Sequence, residues 1–208
     1  MAKTRKTAKK MVKHNNIMGI VDFLYEAGML AHTPRSGFFF LGSGEQSVAE
    51  HLNRTAYFGY ALAHMVGNLN TAKIIEMCMF HDFAEARVSD LNYVHQKYTD
   101  KREDKALADL VDTIPFGDNL RSIWNEYHER KTPEAIIAKD ADNLEWIISL
   151  KEQADIGNTR ALTWIPSALK RLRTPEAQKL GKAILNTASD KWWFGDKSDS
   201  WWVNRSPK

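Results

Sequence analysis

Two neighbouring side chains near the middle of the chain, His81 and Asp82, are of types that bind metal ions. They follow an apolar run, Ile74–Phe80, in which a carboxylate without a partner would cost several kcal/mol. A bound cation would compensate for that cost. Glu85 lies four residues after His81 and three after Asp82, so on a helix all three side chains share one side. Taken alone, the pair also fits a capping or packing role, so the other candidate ligands decide the interpretation.

Further candidate ligands lie on two other predicted helices. His51 falls in the first turn of a helix that begins with the capping box Ser47–Glu50. Asp140 and Asp142 lie inside a helix that begins at Thr132. Two imidazoles with two carboxylates, one of them from Asp140 or Asp142, suit Mn²⁺, Fe²⁺, Co²⁺ or Zn²⁺ and contain too much nitrogen for Ca²⁺. Three helices that converge on one ion are typical of metal sites inside helical bundles.

The elements that must position these residues are predicted to be helices. They begin near Ile17, Ser47, Asn70, Asp100, Asp118, Thr132 and Thr174. The first ends between Gly28 and Ala31, the second near Val66, the fourth near Thr113 and the sixth near Asp155. The third carries His81 and Asp82 near its C-terminal half, the fifth spans roughly a dozen residues, and the last is a long helix before the tail. The run Phe38–Leu41 is predicted to be a brief strand or a wall of the core. No alternating strand pattern of any length is present, so the predicted class is all-α with one domain, residues 15–190. A basic flexible arm, residues 1–14, precedes it, and an aromatic tail, residues 191–208, follows.

Composition restricts the class of protein further. With 208 residues and 43% hydrophobic content, the chain has enough apolar side chains for one core and is not disordered throughout. The single cysteine, Cys78, excludes a disulfide framework and indicates a reducing compartment. No apolar segment approaches the roughly 18 to 20 residues that span a bilayer, and the basic start lacks a cleavable signal pattern. We therefore expect a cytoplasmic protein without membrane association.

The charge distribution and the aromatic tail bear on partners. Six of the 29 basic residues lie in the arm, before the first acid, Asp22. Nucleic acid is not the favoured partner, because no aromatic or recognition-helix pattern accompanies these charges. The tail contains Trp192–Phe194 and Trp201–Trp202, which we expect to pack on the helices or on a second subunit. A homodimer is therefore the predicted assembly.

The order His … His-Asp … Asp on successive helices resembles the HD-domain superfamily of metal-dependent phosphohydrolases. Within that superfamily, the chain from about Arg35 to Gly157 is similar to the 5′-deoxynucleotidase group. The similar stretches are Pro34–Arg35, Ser47–His51, His81–Glu85 with Asp90 following, Thr132–Ala135 and Lys139–Asp142. The resemblance implies an HD-domain helical bundle with one divalent transition metal ion, of Co, Mn, Fe or Zn. It implies the ligands His51, His81, Asp82 and Asp142.

The resemblance also implies roles for residues around the ion. Glu85 would activate the attacking water and assist proton transfer, and Arg35 would hold the phosphate. Asp90, at the end of the catalytic helix, would contact the sugar. Lys97 follows in the chain, where it is placed either to assist phosphate binding or to be a solvated side chain.

Two positions depart from the group's pattern. The group usually has glycine before the sugar-contacting aspartate, where this chain has Ser89. Some members have tryptophan directly after the arginine, near the 2′ position of the sugar, where this chain has Ser36 with Phe38 as the nearest aromatic residue.

The function that follows is hydrolysis of a phosphate ester. A divalent ion lowers the pKa of water and screens charge on phosphoryl oxygens, and Arg35 supplies a planar fork that fits phosphate. The resemblance implies that the substrate is a nucleotide, a (deoxy)nucleoside monophosphate that loses its 5′-phosphate. The alternatives are an HD-domain phosphohydrolase that acts on a cyclic or polyphosphorylated nucleotide, and a non-catalytic nucleotide-binding protein with the same fold. The last is disfavoured because a scaffold has no need for a base, Glu85, beside a metal.

Overall fold

The structure, a computed structural model, describes residues 17–204. In chain order these residues form α1 (Ile17–Met29), α2 (Gly37–Leu41), α3 (Val48–Val66), α4 (Thr71–Phe80), α5 (Glu85–Val88), α6 (Glu103–Val111), α7 (Gly117–Glu129), α8 (Pro133–Asp155), α9 (Thr159–Leu169), α10 (Pro175–Leu185), α11 (Lys191–Phe194) and α12 (Trp201–Asn204). Short 3₁₀ turns lie at Leu30–His32 and His95–Lys97. The all-α prediction is confirmed, whereas the predicted flexible arm lies outside the described residues.

The long helices begin where the sequence places capping residues. The Ser47 hydroxyl accepts a hydrogen bond from the Glu50 amide at 3.2 Å, and the Glu50 carboxylate accepts from the Ser47 amide at 2.6 Å. Thr132 caps α8 with Pro133 in the first turn, and Thr174 caps α10 in the same way. These caps fix the first residues of α3 and α8, the two helices that carry His51 and Asp142.

The segment Phe38–Leu41 is helical, so the strand alternative is wrong. It forms the single-turn helix α2, which ends at Gly42 in the left-handed conformation, with φ of 80°. Phe38 and Leu41 are buried in the core, while Phe39 and Phe40 face outward. Half of the aromatic run is therefore a core wall, as the other alternative proposed.

The predicted single helix through His81 and Asp82 is broken into two parts. Helix α4 ends at Phe80, and the chain then turns through tighter backbone hydrogen bonds, such as Glu85 N–H to the Asp82 carbonyl at 2.9 Å. Helix α5 begins at Glu85. Because the intervening residues keep a right-handed turn, Asp82 and Glu85 still face the same cavity.

Two clusters of buried apolar side chains hold the helices together. The larger includes Leu62, Ile74 and Leu144 and packs α3 and α4 against α8, α9 and α10. The smaller includes Leu52 and Leu110 and packs α3 against α6 and α7. Helix α3 contributes to both clusters, and His51 lies on it.

Helix α9 was not predicted, because Pro166 lies in its interior. Proline removes one backbone hydrogen bond from a helix, but an amphipathic face can still bury the element. Ala161 and Ile165 provide that face by packing in the larger core. The helix matters for the site because Trp164 projects from it toward the cavity described below.

The aromatic tail packs mainly on itself in the described part of the chain. The Phe194 ring lies 5.3 Å from Trp193 and 4.9 Å from Trp202, measured between centroids. Trp192 remains 87% exposed. Across residues 17–204, no helix is both long enough and apolar enough to cross a membrane.

Candidate functional site

The four predicted ligands lie close together, with donor atoms directed toward the same region. His51 Nε2 lies 3.3 Å from Asp142 Oδ1 and 3.7 Å from Asp82 Oδ2. His81 Nε2 lies 3.3 Å from Asp82 Oδ2 and 3.8 Å from Asp142 Oδ1. Two ligand atoms that are each about 2.0–2.2 Å from one ion stand roughly 3–3.6 Å apart. The two distances of 3.3 Å lie within this range, and those of 3.7 and 3.8 Å slightly exceed it. His51, His81 and Asp142 form the tightest group, with ligand atoms within 4.8 Å of one another, and Asp82 lies beside that group.

The two histidines are oriented so that their Nε2 atoms are free. His81 Nδ1 lies 3.0 Å from the Cys78 carbonyl oxygen, which only accepts, so the proton is on Nδ1. His51 Nδ1 lies 2.6 Å from Glu145 Oε2 and donates in the same way. Both Nε2 atoms are buried and, among the described residues, have no hydrogen-bond partner. Buried orphan lone pairs are rare in folded proteins, and a metal ion satisfies both.

Glu145 lies behind His51 and is itself fully buried. Its Oε1 atom accepts hydrogen bonds from Gln46 at 2.6 Å, Arg54 at 2.9 Å and Ser149 at 3.1 Å. Burial alone would raise its pKa, but the hydrogen bond and charge of His51, together with Arg54, lower the pKa to about 2. Glu145 is therefore a carboxylate that fixes the proton of His51 on Nδ1.

The two aspartates are held in the charged state as well. Burial opposes ionisation, but the imidazoles lower the pKa of Asp82, and Lys139 and the imidazoles lower that of Asp142. Lys139 Nζ and the Tyr127 hydroxyl donate to Asp142 Oδ2, at 2.6 and 3.0 Å. These two donors occupy Oδ2 and leave Oδ1 directed at the histidines.

Arg35 is held at the edge of this cluster by the loop before α3. Its amide donates to the Gln46 carbonyl at 2.8 Å, and Pro34 pairs with Ser47 in an isolated bridge. The guanidinium lies 3.5 Å from Asp82 and 3.6 Å from Asp90, which are distances of ion pairs rather than hydrogen bonds. Burial by itself lowers the pKa of Arg35, but the surrounding carboxylates raise it well above its ordinary value. The guanidinium of Arg35 is therefore a cation whose N–H groups are still available to bind an incoming anion.

Glu85 lies on the other side of Asp82. Its Oε1 atom accepts from Lys101 Nζ at 2.7 Å, while Oε2 is buried without a hydrogen-bond partner among the described residues. Burial, followed by the charges of Asp82 and Asp90, raises the pKa of Glu85 to about 8, although Lys101 lowers it. A carboxyl group of this kind can accept or donate a proton near neutral pH.

Asp90 closes the same edge. Its Oδ2 accepts from the Ser36 amide at 2.9 Å, so that the turn after Arg35 and the end of α5 are linked. Ser89, just before it, has a φ of 66° and a ψ of 160°, a conformation that is nearly restricted to glycine. The glycine usual in the resembling group is thus a backbone requirement, which this chain meets with a strained serine.

The two aspartate ligands, Arg35, Glu85 and Asp90 line one cavity of about 800 Å³, whereas the histidines do not line it. Its polar wall includes Arg35, Asp82, Glu85 and Asp142, and its aromatic wall includes Trp146 and Trp164. This volume is within the range of sites that enclose small organic ligands.

Two of the candidate residues, Lys97 and Asp140, lie outside the cluster. Lys97 is exposed and does not line the cavity; its Nζ lies 4.6 Å from the centre of the Tyr93 ring. Asp140, the alternative fourth ligand, is buried away from the histidines and accepts from the amides of Arg173 and Thr174 at 2.9 and 2.8 Å. Of the two candidate aspartates, Asp140 and Asp142, only Asp142 faces the cluster.

Sequence reasoning missed Glu145, Lys101 and Arg54. Glu145 follows Asp142 by three residues, so its helical spacing was a usable signal, as was its position in an apolar run. Arg54 follows His51 by the same interval. Lys101 carried no such signal, because the irregular chain between Ser89 and Glu103 brings it to Glu85.

Comparison with known proteins agrees with this geometry. The chain is 27% identical to 5′-deoxynucleotidase HDDC2 of Mus musculus over 146 residues, which are 67% of this chain and 72% of that protein. It is 30% identical over 145 residues to the protein of the same name from Dictyostelium discoideum, covering 64% of this chain and 76% of that one.

Solved structures share the fold. A conserved hypothetical protein from Pyrococcus furiosus matches with a TM-score of 0.68 and 25% identity over 80% of this chain and 99% of that one. A predicted metal-dependent phosphohydrolase from Magnetospirillum magnetotacticum matches with a TM-score of 0.67 and 20% identity, over 85% of this chain and 94% of the other, which shows the fold alone. The HD domain family model matches residues 27–182. The chain therefore belongs to the HD-domain family, as the order of its histidines and aspartates predicted.

Proposed function

We propose that this protein is a metal-dependent phosphohydrolase that removes the 5′-phosphate from (deoxy)nucleoside monophosphates. The observation that carries the proposal is the pair of buried, unpartnered Nε2 atoms of His51 and His81 facing Asp82 and Asp142. Asp82 and Asp142 line a cavity that also includes Arg35 and Glu85. The names of the 5′-deoxynucleotidase relatives support the reaction class.

The ion would be held by His51, His81, Asp82 and Asp142. When bound, a divalent ion of Co, Mn, Fe or Zn supplies positive charge for the phosphoryl oxygens and acidifies water. The mixed nitrogen and oxygen donors suit this group of metals. The remaining steps fall to side chains of this chain.

Arg35 binds the phosphate. The Nε atom of its guanidinium has no hydrogen-bond partner in the described part of the chain, and its backbone is held by the hydrogen bond from its amide to the Gln46 carbonyl. Its planar fork matches two phosphate oxygens. Lys101 and Lys139 also line the cavity and keep it from becoming strongly negative around the acidic residues.

Glu85 moves the proton. Its free Oε2 atom is the site that accepts a proton from the attacking water and returns it to the leaving oxygen. Lys101 holds the other oxygen, so the carboxyl group cannot rotate freely. We therefore assign general acid–base catalysis to Glu85 and the positioning of its carboxyl group to Lys101. The proposal does not include the substrate contact that was one alternative for Lys97.

Asp90 and Trp146 are proposed to contact the sugar and base side of the nucleotide. Asp90 uses Oδ2 to bind the Ser36 amide, which leaves Oδ1 available for a hydroxyl group. A Cβ atom on Gly37 would lie 3.0 Å from the Trp146 ring, so the small residues after Arg35 admit this ring. Trp146 thereby replaces the tryptophan that some related proteins have directly after the arginine.

The test is phosphate release from a panel of nucleotides by protein loaded separately with each of the four metals. Wild type should release phosphate from 5′-monophosphates, and Glu85→Gln should lose about 10²–10⁴-fold in kcat. Glu103→Gln is the matched control, because Glu103 also pairs with Lys101, at 2.6 Å, without lining the cavity. Equal turnover by the Glu85 and Glu103 variants would remove Glu85 from the mechanism.

The proposal also covers assembly, location and domain bounds. We propose a homodimer, supported by the exposed aromatic residues of the tail, and a cytoplasmic location, supported by the single buried cysteine. We also propose that residues 15–190 form the HD domain, with the arm and the tail outside it. Size-exclusion chromatography with light scattering tests the dimer directly.

A further inference from the structure

A second, basic hollow adjoins the proposed active-site cavity. It has a volume of about 460 Å³ and lies between the C-terminal end of α7, the middle of α8 and the chain between α9 and α10. Five basic side chains line it: Arg130, Lys139, Lys170, Arg171 and Arg173. This hollow is called the basic pocket below.

The positive charge of the basic pocket is largely unneutralised. Asp140 is the acidic residue in its lining, and both of its carboxylate oxygens accept hydrogen bonds from the backbone of Arg173 and Thr174. Among residues 17–204, the side chains of Arg130, Lys170 and Arg171 form no salt bridge. Lys139 is paired with Asp142, so the free positive charge comes from the other basic side chains. Cations gathered in a concave surface with few counter-charges attract an anion.

The basic pocket and the active-site cavity share a wall. Lys139, Asn143 and Arg171 line both. Along α8, Ile136 in the basic pocket precedes the ligand Asp142 by six residues, which is about 9 Å of helix. This separation is comparable with the length of one nucleotide, so a single molecule can occupy both spaces.

We propose that the basic pocket binds a second phosphate group of the substrate, beyond the one that is cleaved. The preferred substrate class is then a nucleotide with two separated phosphates, such as a ribonucleoside 3′,5′-bisphosphate, whose 2′-hydroxyl is still available to Asp90. This inference rests on the proposed function, since the scissile phosphate is placed at Arg35 and the metal ligands. The shared Lys139 and Arg171 lie between the two phosphates.

The test compares kcat/KM for adenosine 5′-monophosphate and adenosine 3′,5′-bisphosphate, both of which keep a free 2′-hydroxyl. Wild type should prefer the bisphosphate. In Arg130→Gln/Arg173→Gln, the ratio of the two kcat/KM values should fall about tenfold, or 1.4 kcal/mol. Both residues line the basic pocket and not the cavity. Lys179→Gln/Lys182→Gln, which removes the same charge from exposed positions of α10, should leave the ratio unchanged.

Each outcome bears on the proposal. An unchanged ratio in the arginine variant, or a wild type that favours the monophosphate, overturns it. Activation of monophosphate hydrolysis by added inorganic phosphate, lost in the arginine variant, would assign the pocket to a separate anion and overturn the substrate assignment. If wild type hydrolyses neither nucleotide, the proposed function fails. Calorimetry then still tests the basic pocket: wild type should bind the bisphosphate more tightly than the monophosphate, and the arginine variant should lose this difference in affinity.

Discussion

The substitution Glu145→Gln isolates the contribution of the residue behind His51. The glutamine keeps the size of the side chain but has one accepting oxygen where glutamate has two. Gln46, Arg54 and Ser149 all donate to one oxygen of Glu145, so the amide oxygen should turn toward them. The amide nitrogen then faces His51 Nδ1, where two donors cannot meet. His51 is expected to move its proton to Nε2, the atom that should bind the ion.

The magnitude follows from the geometry. Residues that orient a metal ligand through its second ring nitrogen typically contribute 10- to 100-fold to metal affinity, or about 1.4–2.8 kcal/mol. The metal-free protein should also lose about 1–3 kcal/mol of its free energy of unfolding, because a buried hydrogen bond is disrupted. The assays are metal dissociation constants by competition with a chromophoric chelator and denaturant unfolding of the metal-free protein.

Glu152→Gln is the matched control. Glu152 also binds Arg54, at 2.8 Å, but it does not contact His51 and is partly exposed. Its loss should cost no more than about 1 kcal/mol of stability and leave metal affinity unchanged. Equal metal affinities for the Glu145 and Glu152 variants would refute the assignment of Glu145 as the residue that orients His51.

Three further predictions concern the edges of the site. Ser89→Gly should raise the free energy of unfolding by about 1 kcal/mol, because it removes roughly 1–3 kcal/mol of strain at φ 66° but adds backbone entropy to the unfolded chain. Ser89→Ala should not raise it, and equal unfolding midpoints for the two variants would contradict this prediction. Arg35→Ala should lower kcat/KM for a 5′-monophosphate by roughly 30- to 1000-fold, from about 2–4 kcal/mol, and Arg35→Lys should recover only part; an unaltered kcat/KM would remove Arg35 from phosphate binding. Asp140→Ala should lower the unfolding free energy by about 2–4 kcal/mol, because two amides before α10 lose their acceptor, and a wild-type thermal midpoint would contradict that role.

Much of the fold follows from local sequence signals. Capping at Ser47, Thr132 and Thr174 placed the starts of α3, α8 and α10, because a side-chain acceptor followed by helix-forming residues is a local arrangement. Phe38–Leu41 was ambiguous because four apolar residues fit a strand or a buried helical turn equally well. Tertiary contacts decided between them.

The site likewise contains residues that the sequence predicts and residues that are brought together only by folding. The metal ligands were predictable because their types and their order along the chain are distinctive. The contact of Lys101 with Glu85 was not predictable, because the chain before Lys101 has no regular pattern that would indicate its position. For the same reason the sequence left open whether Lys97 contacts the substrate or is solvated. The basic pocket joins residues from α7, α8 and the chain after α9, so its charge is dispersed in the sequence and concentrated only by folding.

The central claim is that His51, His81, Asp82 and Asp142 hold one metal ion. Elemental analysis of protein reloaded with metal after chelation tests it most directly, with Asp142→Ala and Asp140→Ala measured side by side. We predict one ion per chain in the wild type and in the Asp140 variant, and strongly reduced metal in the Asp142 variant. Full metal content in Asp142→Ala, or its loss in a folded Asp140→Ala protein, would contradict the assignment.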